Sequence, residues 1–233
     1  MASIFKSSIG KKLVMSISGL FLIVFLTFHM VMNLTYVFDP DSKVYGTICE
    51  ILSMGWVNVL VPVLALGFLV HIVYAFILTI GNRKARGEQR YEVSNKAATD
   101  SWASRNMFVL GLIVLFGIVC HLSDFWAKMQ LQNWLGGTEG NPYQLMEATF
   151  GKWWILCLYL IWFAALWFHL THGFWSALQT IGWNNQIWYK RLKWITCLYV
   201  TLLMLGFTLV AVYAFCKANA LFGLTPYLAG IGG

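Results

Sequence analysis

Five stretches of this chain are apolar for long enough to cross a hydrocarbon layer of about 30 Å, which takes about 20 helical residues. They run over 13–38, 54–80, 107–126, 153–181 and 194–216. Lipid offers a backbone amide no partner, so each span is expected to be an α-helix. The expected fold class is an all-α integral membrane protein, a single membrane domain over 1–233. Composition points the same way. The chain is 59% hydrophobic and 11% charged, where a soluble domain carries about 45–50% and about 25%, so too little polar surface remains to coat a water-soluble globule. The first span is too long for a signal-peptide core and lacks a small-residue cleavage site, and it is expected to stay in the mature protein.

The net charge of +7 is read as topology rather than as a nucleic-acid surface, because the charges fall between the apolar spans. Lys6, Lys11, Lys12, Arg83, Lys84, Arg86, Arg90, Lys96, Arg105, Lys190, Arg191 and Lys193 fall on one side, and Lys43, Lys128, Lys152 and Lys217 on the other. Positive charge is retained inside. That places the N-terminus in the cytoplasm and, with an odd number of spans, the C-terminus outside. Trp56, Trp126, Trp153, Trp183 and Trp194 sit near span ends, as interfacial tryptophans do. The five cysteines form no CxxC or CxxCH, which argues against a thiolate zinc site, a thioredoxin-type motif and covalently attached c-type haem.

All five histidines lie inside spans: His29, His71, His121, His169 and His172. Ionisable groups at that depth are costly and face an interior, and imidazole is a common axial ligand of haem iron. At 1.5 Å per residue, His29 and His121 lie roughly 21–24 Å from the inner end of their spans, and the other three roughly 13–18 Å. Two bis-histidine haems follow, His29 with His121 toward the outside and His71 with His169 or His172 toward the inside. Gly67, Gly117 and Gly173 lie four residues from His71, His121 and His169, on the same helix faces, where a flat group needs room. His172 is flanked by Phe168 and Ser176, which favours His169 as the ligand.

At these residues the chain resembles a known family. SGLFLIVFLTFHM (18–30), FLVHIVYAF (68–76), GIVCHLSDFW (117–126) and HLTHGFWSALQTIGW (169–183) are similar to the di-haem cytochrome b subunit of succinate dehydrogenase and fumarate reductase, in its single-subunit, five-helix branch. The resemblance extends from about Lys11 to Cys216, and its most specific part is the run from His169 to Trp183. It departs from the family pattern at T-I-G-W, Thr180–Trp183. The resemblance implies five helices in a bundle enclosing two haem b groups. His29, His71, His121 and His169 would be the iron ligands and His172 not one. It further implies menaquinone as substrate and a bacterial cytoplasmic membrane. The partners would be a flavoprotein with covalent FAD and an iron–sulfur protein, both on the cytoplasmic face.

Haem propionates need polar partners near a span end, and Ser16 and Arg105 are the candidates at the inner end. Glu50, before the second span on the outer side, matches a glutamate that handles quinol protons in quinol-oxidising relatives, a role that suits a carboxylate. Asp124, three residues after His121, is the next candidate. Two other readings stand beside this one. One is the cytochrome b subunit of a hydrogenase, formate dehydrogenase or nitrate reductase. The other is a transporter with a histidine proton relay, although no inverted repeat is visible.

Overall fold

A computed structural model describes residues 7–38, 43–86, 101–183 and 185–227. Lys6, Arg90 and Lys96, part of the charge balance above, lie outside them. All regular structure among the described residues is helical: α1 (Ser8–Phe38), α2 (Lys43–Leu52), α3 (Val57–Arg86), α4 (Trp102–Arg105), α5 (Met107–Asp124), α6 (Gln130–Trp134), α7 (Pro142–Phe150), α8 (Trp153–Thr180) and α9 (Gln186–Ala218). Five of these, α1, α3, α5, α8 and α9, are long and apolar enough to cross a membrane.

The long helices overrun the apolar stretches at their basic ends. Hydropathy starts the last span at 194, whereas α9 starts at Gln186 and carries Lys190, Arg191 and Lys193 in its first turns. Lys and Arg are good helix formers, and their stems can lie along the helix while the charge reaches water. The starts are fixed by side chains. Ser7 Oγ accepts from Gly10 N at 3.0 Å, and Asn185 Oδ1 accepts from Trp188 N at 2.7 Å, each satisfying an orphan first-turn amide. The end of α8 is set by Gly182, whose φ of 99° is free for glycine alone. Gly182 N–H then bonds Gln179 O, and Trp183 N–H reaches back to Leu178 O, the six-to-one bond of a Schellman stop.

The chain divides into two compact units. One holds residues 1–26, 58–111 and 168–200, and the other 27–57, 112–167 and 201–233. By these ranges the first unit contains twelve of the sixteen Lys and Arg and the second four. Side chains such as Val59, Leu69, Phe116 and Leu202 are exposed, and α3 buries none of its most apolar stretch. In lipid that exposure carries no hydrophobic penalty.

The second unit has a polar knot at the short helix α7. Asn141 caps it, its side chain accepting from Tyr143 N and Gln144 N, with Pro142 at the first helical position, where the missing N–H costs nothing. Glu147 is buried. Both its carboxylate oxygens accept from Tyr227 N, at 3.0 and 2.9 Å, and Lys217 Nζ lies 3.8 Å away. Around this pair, the rings of Tyr36, Tyr45, Tyr143, Tyr213 and Tyr227 meet at 5.0–6.1 Å. Removing one member of a buried charge pair strands the other. Glu147→Ala should therefore destabilise this unit by about 3 kcal/mol and free the segment after α9. Thermal melting in detergent and limited proteolysis near Tyr227 measure the two effects, and Glu147→Gln, which still accepts from Tyr227 N, should show a weaker one.

Candidate functional site

Each unit contains one pair of facing imidazoles. In the second unit, His29 on α1 meets His121 on α5 with ring centroids 5.7 Å apart. Phe207 lies 5.9 Å from His29, and Tyr159 and Trp162 lie 6.3 and 5.9 Å from His121. In the first unit, His71 on α3 meets His169 on α8 at 6.3 Å. Nδ1 of His121 and Nδ1 of His169 are buried without a hydrogen-bond partner among the described residues. An unpaired buried polar atom costs about 1–3 kcal/mol, so each pair contains a nitrogen whose environment is incomplete as protein alone.

Two imidazoles on opposite sides of one metal, with bonds of about 2 Å, place their ring centroids about 6 Å apart. Both observed separations meet that requirement. Among the described residues, no three His, Cys, Asp or Glu side chains come together to hold a bare metal ion. Two imidazoles alone suit a metal that arrives with its own equatorial ligands, which is what haem iron does. On separation and donor type, these four histidines are the residues that could hold such a group.

The glycines beside the histidines are used differently from the sequence expectation. A Cβ at Gly67 would come within 2.5 Å of the Phe21 ring, and one at Gly117 would run into the Trp162 indole, whose Nε1 donates to Val114 O at 3.1 Å. Rings from neighbouring helices fill these faces, so a flat group at His121 requires Trp162 to turn away. Gly173 faces open space. Two glycines that sequence spacing did not single out lie against the first unit's pair. A Cβ at Gly19 would sit 3.2 Å from His71 Cε1, and one at Gly111 would sit 3.8 Å from His169 Cε1.

The remaining candidates are placed as follows. His172 packs on Trp175 at 5.3 Å, and its Nδ1 is also buried and unpartnered. Ser16 is buried in α1, but the serine in contact with a paired histidine is Ser18, Oγ to His71 Nδ1 at 3.2 Å. Arg105 ends the single-turn helix α4, whose N-cap Ser101 accepts from Ser104 N. Glu50 is exposed on α2. Asp124, at the end of α5, accepts from Tyr159 Oη at 2.9 Å, and the same Tyr159 ring stands against His121. Sequence reasoning missed Ser18, Tyr159 and Glu147, because hydroxyls and loop carboxylates carry no spacing signal.

Comparison with known proteins adds no identification: no family model, no curated protein and no solved structure matches the chain. What fold and site define is a class, an all-helical chain with five helices long and apolar enough to cross a membrane and two imidazole pairs among them.

Cys49, next to Glu50, gives a local probe of α2. Burial pushes its thiol up to about 11, the Tyr45 hydroxyl's hydrogen bond opposes this, and the Glu50 charge adds to the rise. A raised thiol pKa favours the neutral form, and the thiolate is the nucleophile. With Cys120, Cys157, Cys197 and Cys216 replaced by Ala, alkylation of Cys49 at pH 8 should run about 100-fold slower than that of an exposed thiol and climb until pH approaches 11. Alkylation at the free-thiol rate would show that α2 leaves Cys49 open to water.

Proposed function

We propose that this chain is the membrane cytochrome b subunit of a succinate:quinone oxidoreductase, a succinate dehydrogenase or fumarate reductase, and that it binds two haem b groups. The observation that carries the reading is the pairing of four imidazoles, two by two, on helices long and apolar enough to cross a membrane, with ring centroids 5.7 and 6.3 Å apart. His29 and His121 hold one iron, and His71 and His169 the other. Haem, when bound, supplies reversible one-electron transfer. The chain's residues hold the group, exclude water and handle protons. Ser16 and Arg105 are proposed partners of the propionates of the His71–His169 group.

The sequence resemblance supports the rest of the reading. A flavoprotein with FAD and an iron–sulfur protein dock on the cytoplasmic face, and menaquinone exchanges electrons with this chain in a bacterial inner membrane. The N-terminus lies in the cytoplasm by the positive-inside bias. Glu50 is the proposed proton-transfer group for the quinone, since it is exposed and can exchange protons with water without being buried as a bare charge.

A reduced-minus-oxidised spectrum of the purified protein should show two low-spin b-type components. His71→Ala and His169→Ala should each remove the same one, His29→Ala and His121→Ala the other, and His172→Ala neither. Loss of different components from the His71 and His169 variants would refute the pairing. A protein without haem would overturn the reading in favour of a histidine-relay transporter.

Glu50→Gln keeps the side-chain size and removes the titratable proton. Quinone-coupled turnover should fall by about 10²–10⁴, the usual loss with a general acid or base, with both haem spectra intact and succinate oxidation by artificial dyes at the flavoprotein unchanged. Unchanged quinone turnover would transfer the role to Asp124.

A further inference from the structure

The four paired histidines are not equivalent in their surroundings. His121 and His169 each have a buried Nδ1 without a partner among the described residues. His71 Nδ1 instead lies 3.2 Å from Ser18 Oγ, and Ser18 is buried. The direction of that bond follows from its other end. Ser18 Oγ is also 3.1 Å from Met15 O, one turn earlier on α1. A carbonyl can only accept, and a serine hydroxyl has a single hydrogen. With that hydrogen on Met15 O, Ser18 Oγ can only accept from His71. The Ser18 hydroxyl oxygen therefore faces this ring as an acceptor, and Nδ1, the nitrogen opposite it, carries the proton. Gly19 lets the ring come this close, since a Cβ there would stand 3.2 Å from Cε1.

We infer that Ser18 is a positioning residue for His71: held by its own bond to the Met15 carbonyl, it accepts the Nδ1 proton, fixes the tautomer, and leaves the Nε2 lone pair free to bind iron. This rests on the two-haem reading above. A hydrogen-bond acceptor on the other ring nitrogen raises the basicity of a ligating imidazole, and a more basic ligand would favour the oxidised metal. The His71–His169 haem is thereby held at a lower potential than an unsupported pair would give.

The test uses the full chain with its haems, as wild type, Ser18→Ala, Ser18→Cys and Ser18→Thr. Potentiometric titration should show that Ser18→Ala raises the midpoint potential of the component lost in His71→Ala and leaves the other component where it was. Haem affinity at that site should weaken by about 10–100-fold. Ser18→Cys, a weak acceptor, should follow Ala, and Ser18→Thr, which keeps the hydroxyl, should follow the wild type. An unmoved potential in Ser18→Ala, or an equal shift in Ser18→Thr, would overturn the inference. A second readout needs no haem. In ¹⁵N-histidine-labelled protein before haem addition, His71 should carry its proton on Nδ1, and the Nδ1–H fraction should fall in Ser18→Ala. A wild-type His71 protonated on Nε2 would overturn the inference on its own. A wild type that binds no haem, with His71 protonated on Nδ1, would instead sink the two-haem reading and leave the tautomer assignment standing.

Discussion

Hydrocarbon supplies no hydrogen bonds, and a chain this apolar must satisfy every polar group from within. The backbone does so by becoming helix, which uses up its donors and acceptors and leaves only side chains to connect one helix to another. Those connections are few and specific. Trp167 Nε1 donates to Thr201 Oγ1 at 2.9 Å, Trp162 Nε1 to Val114 O, Tyr159 to Asp124, and His71 bonds Ser18. Among the described residues the imidazoles of His121, His169 and His172 depart from this, each with a buried Nδ1 that has no hydrogen-bond partner.

The two units divide the histidines and the charge in the same way. His71, His169 and His172 belong to the unit whose chain ranges contain twelve Lys and Arg, and His29 and His121 to the unit with four. Helices α1, α5, α8 and α9 contribute residues to both. A continuous helix can carry side chains of both units without a loop between them, as α1 does with Ser18 and His29.

Depth along a helix was legible in the sequence, and rotation about it was not. Counting residues grouped His29 with His121 and His71 with His169 or His172, because rise per residue is fixed by the backbone. That Ser18 meets His71 depends on which face of α1 meets α3, and residues two apart differ there by about 200° around the helix. The same limit applies to the glycines. Spacing put Gly67 and Gly117 beside histidines, but whether the space above them stays open depends on Phe21 and Trp162, which belong to other helices. The non-membrane helices α2 and α7 lie in segments with no apolar run to announce them. Glu147 was invisible for a related reason: a carboxylate in a Gly- and Pro-containing loop reads as solvated, and only the return of the chain at Tyr227 buries it.

Three carboxylates of the second unit, Glu147, Glu50 and Asp124, differ in their surroundings. Glu147 accepts twice from Tyr227 N–H and sits near Lys217. These contacts tie α7 to the segment after α9, so the role of Glu147 in this unit is structural. Glu50 has an exposed side chain on a short helix, with Cys49 and Tyr45 tied into the tyrosine cluster next to it. Asp124 is the intermediate case. Its carboxylate already takes a proton donor, Tyr159, whose ring stands against His121. It is the carboxylate linked by one hydrogen bond to a neighbour of a histidine pair. These three carboxylates thus differ in partner: a backbone amide and a nearby ammonium for Glu147, an exposed position for Glu50, and a tyrosine hydroxyl for Asp124.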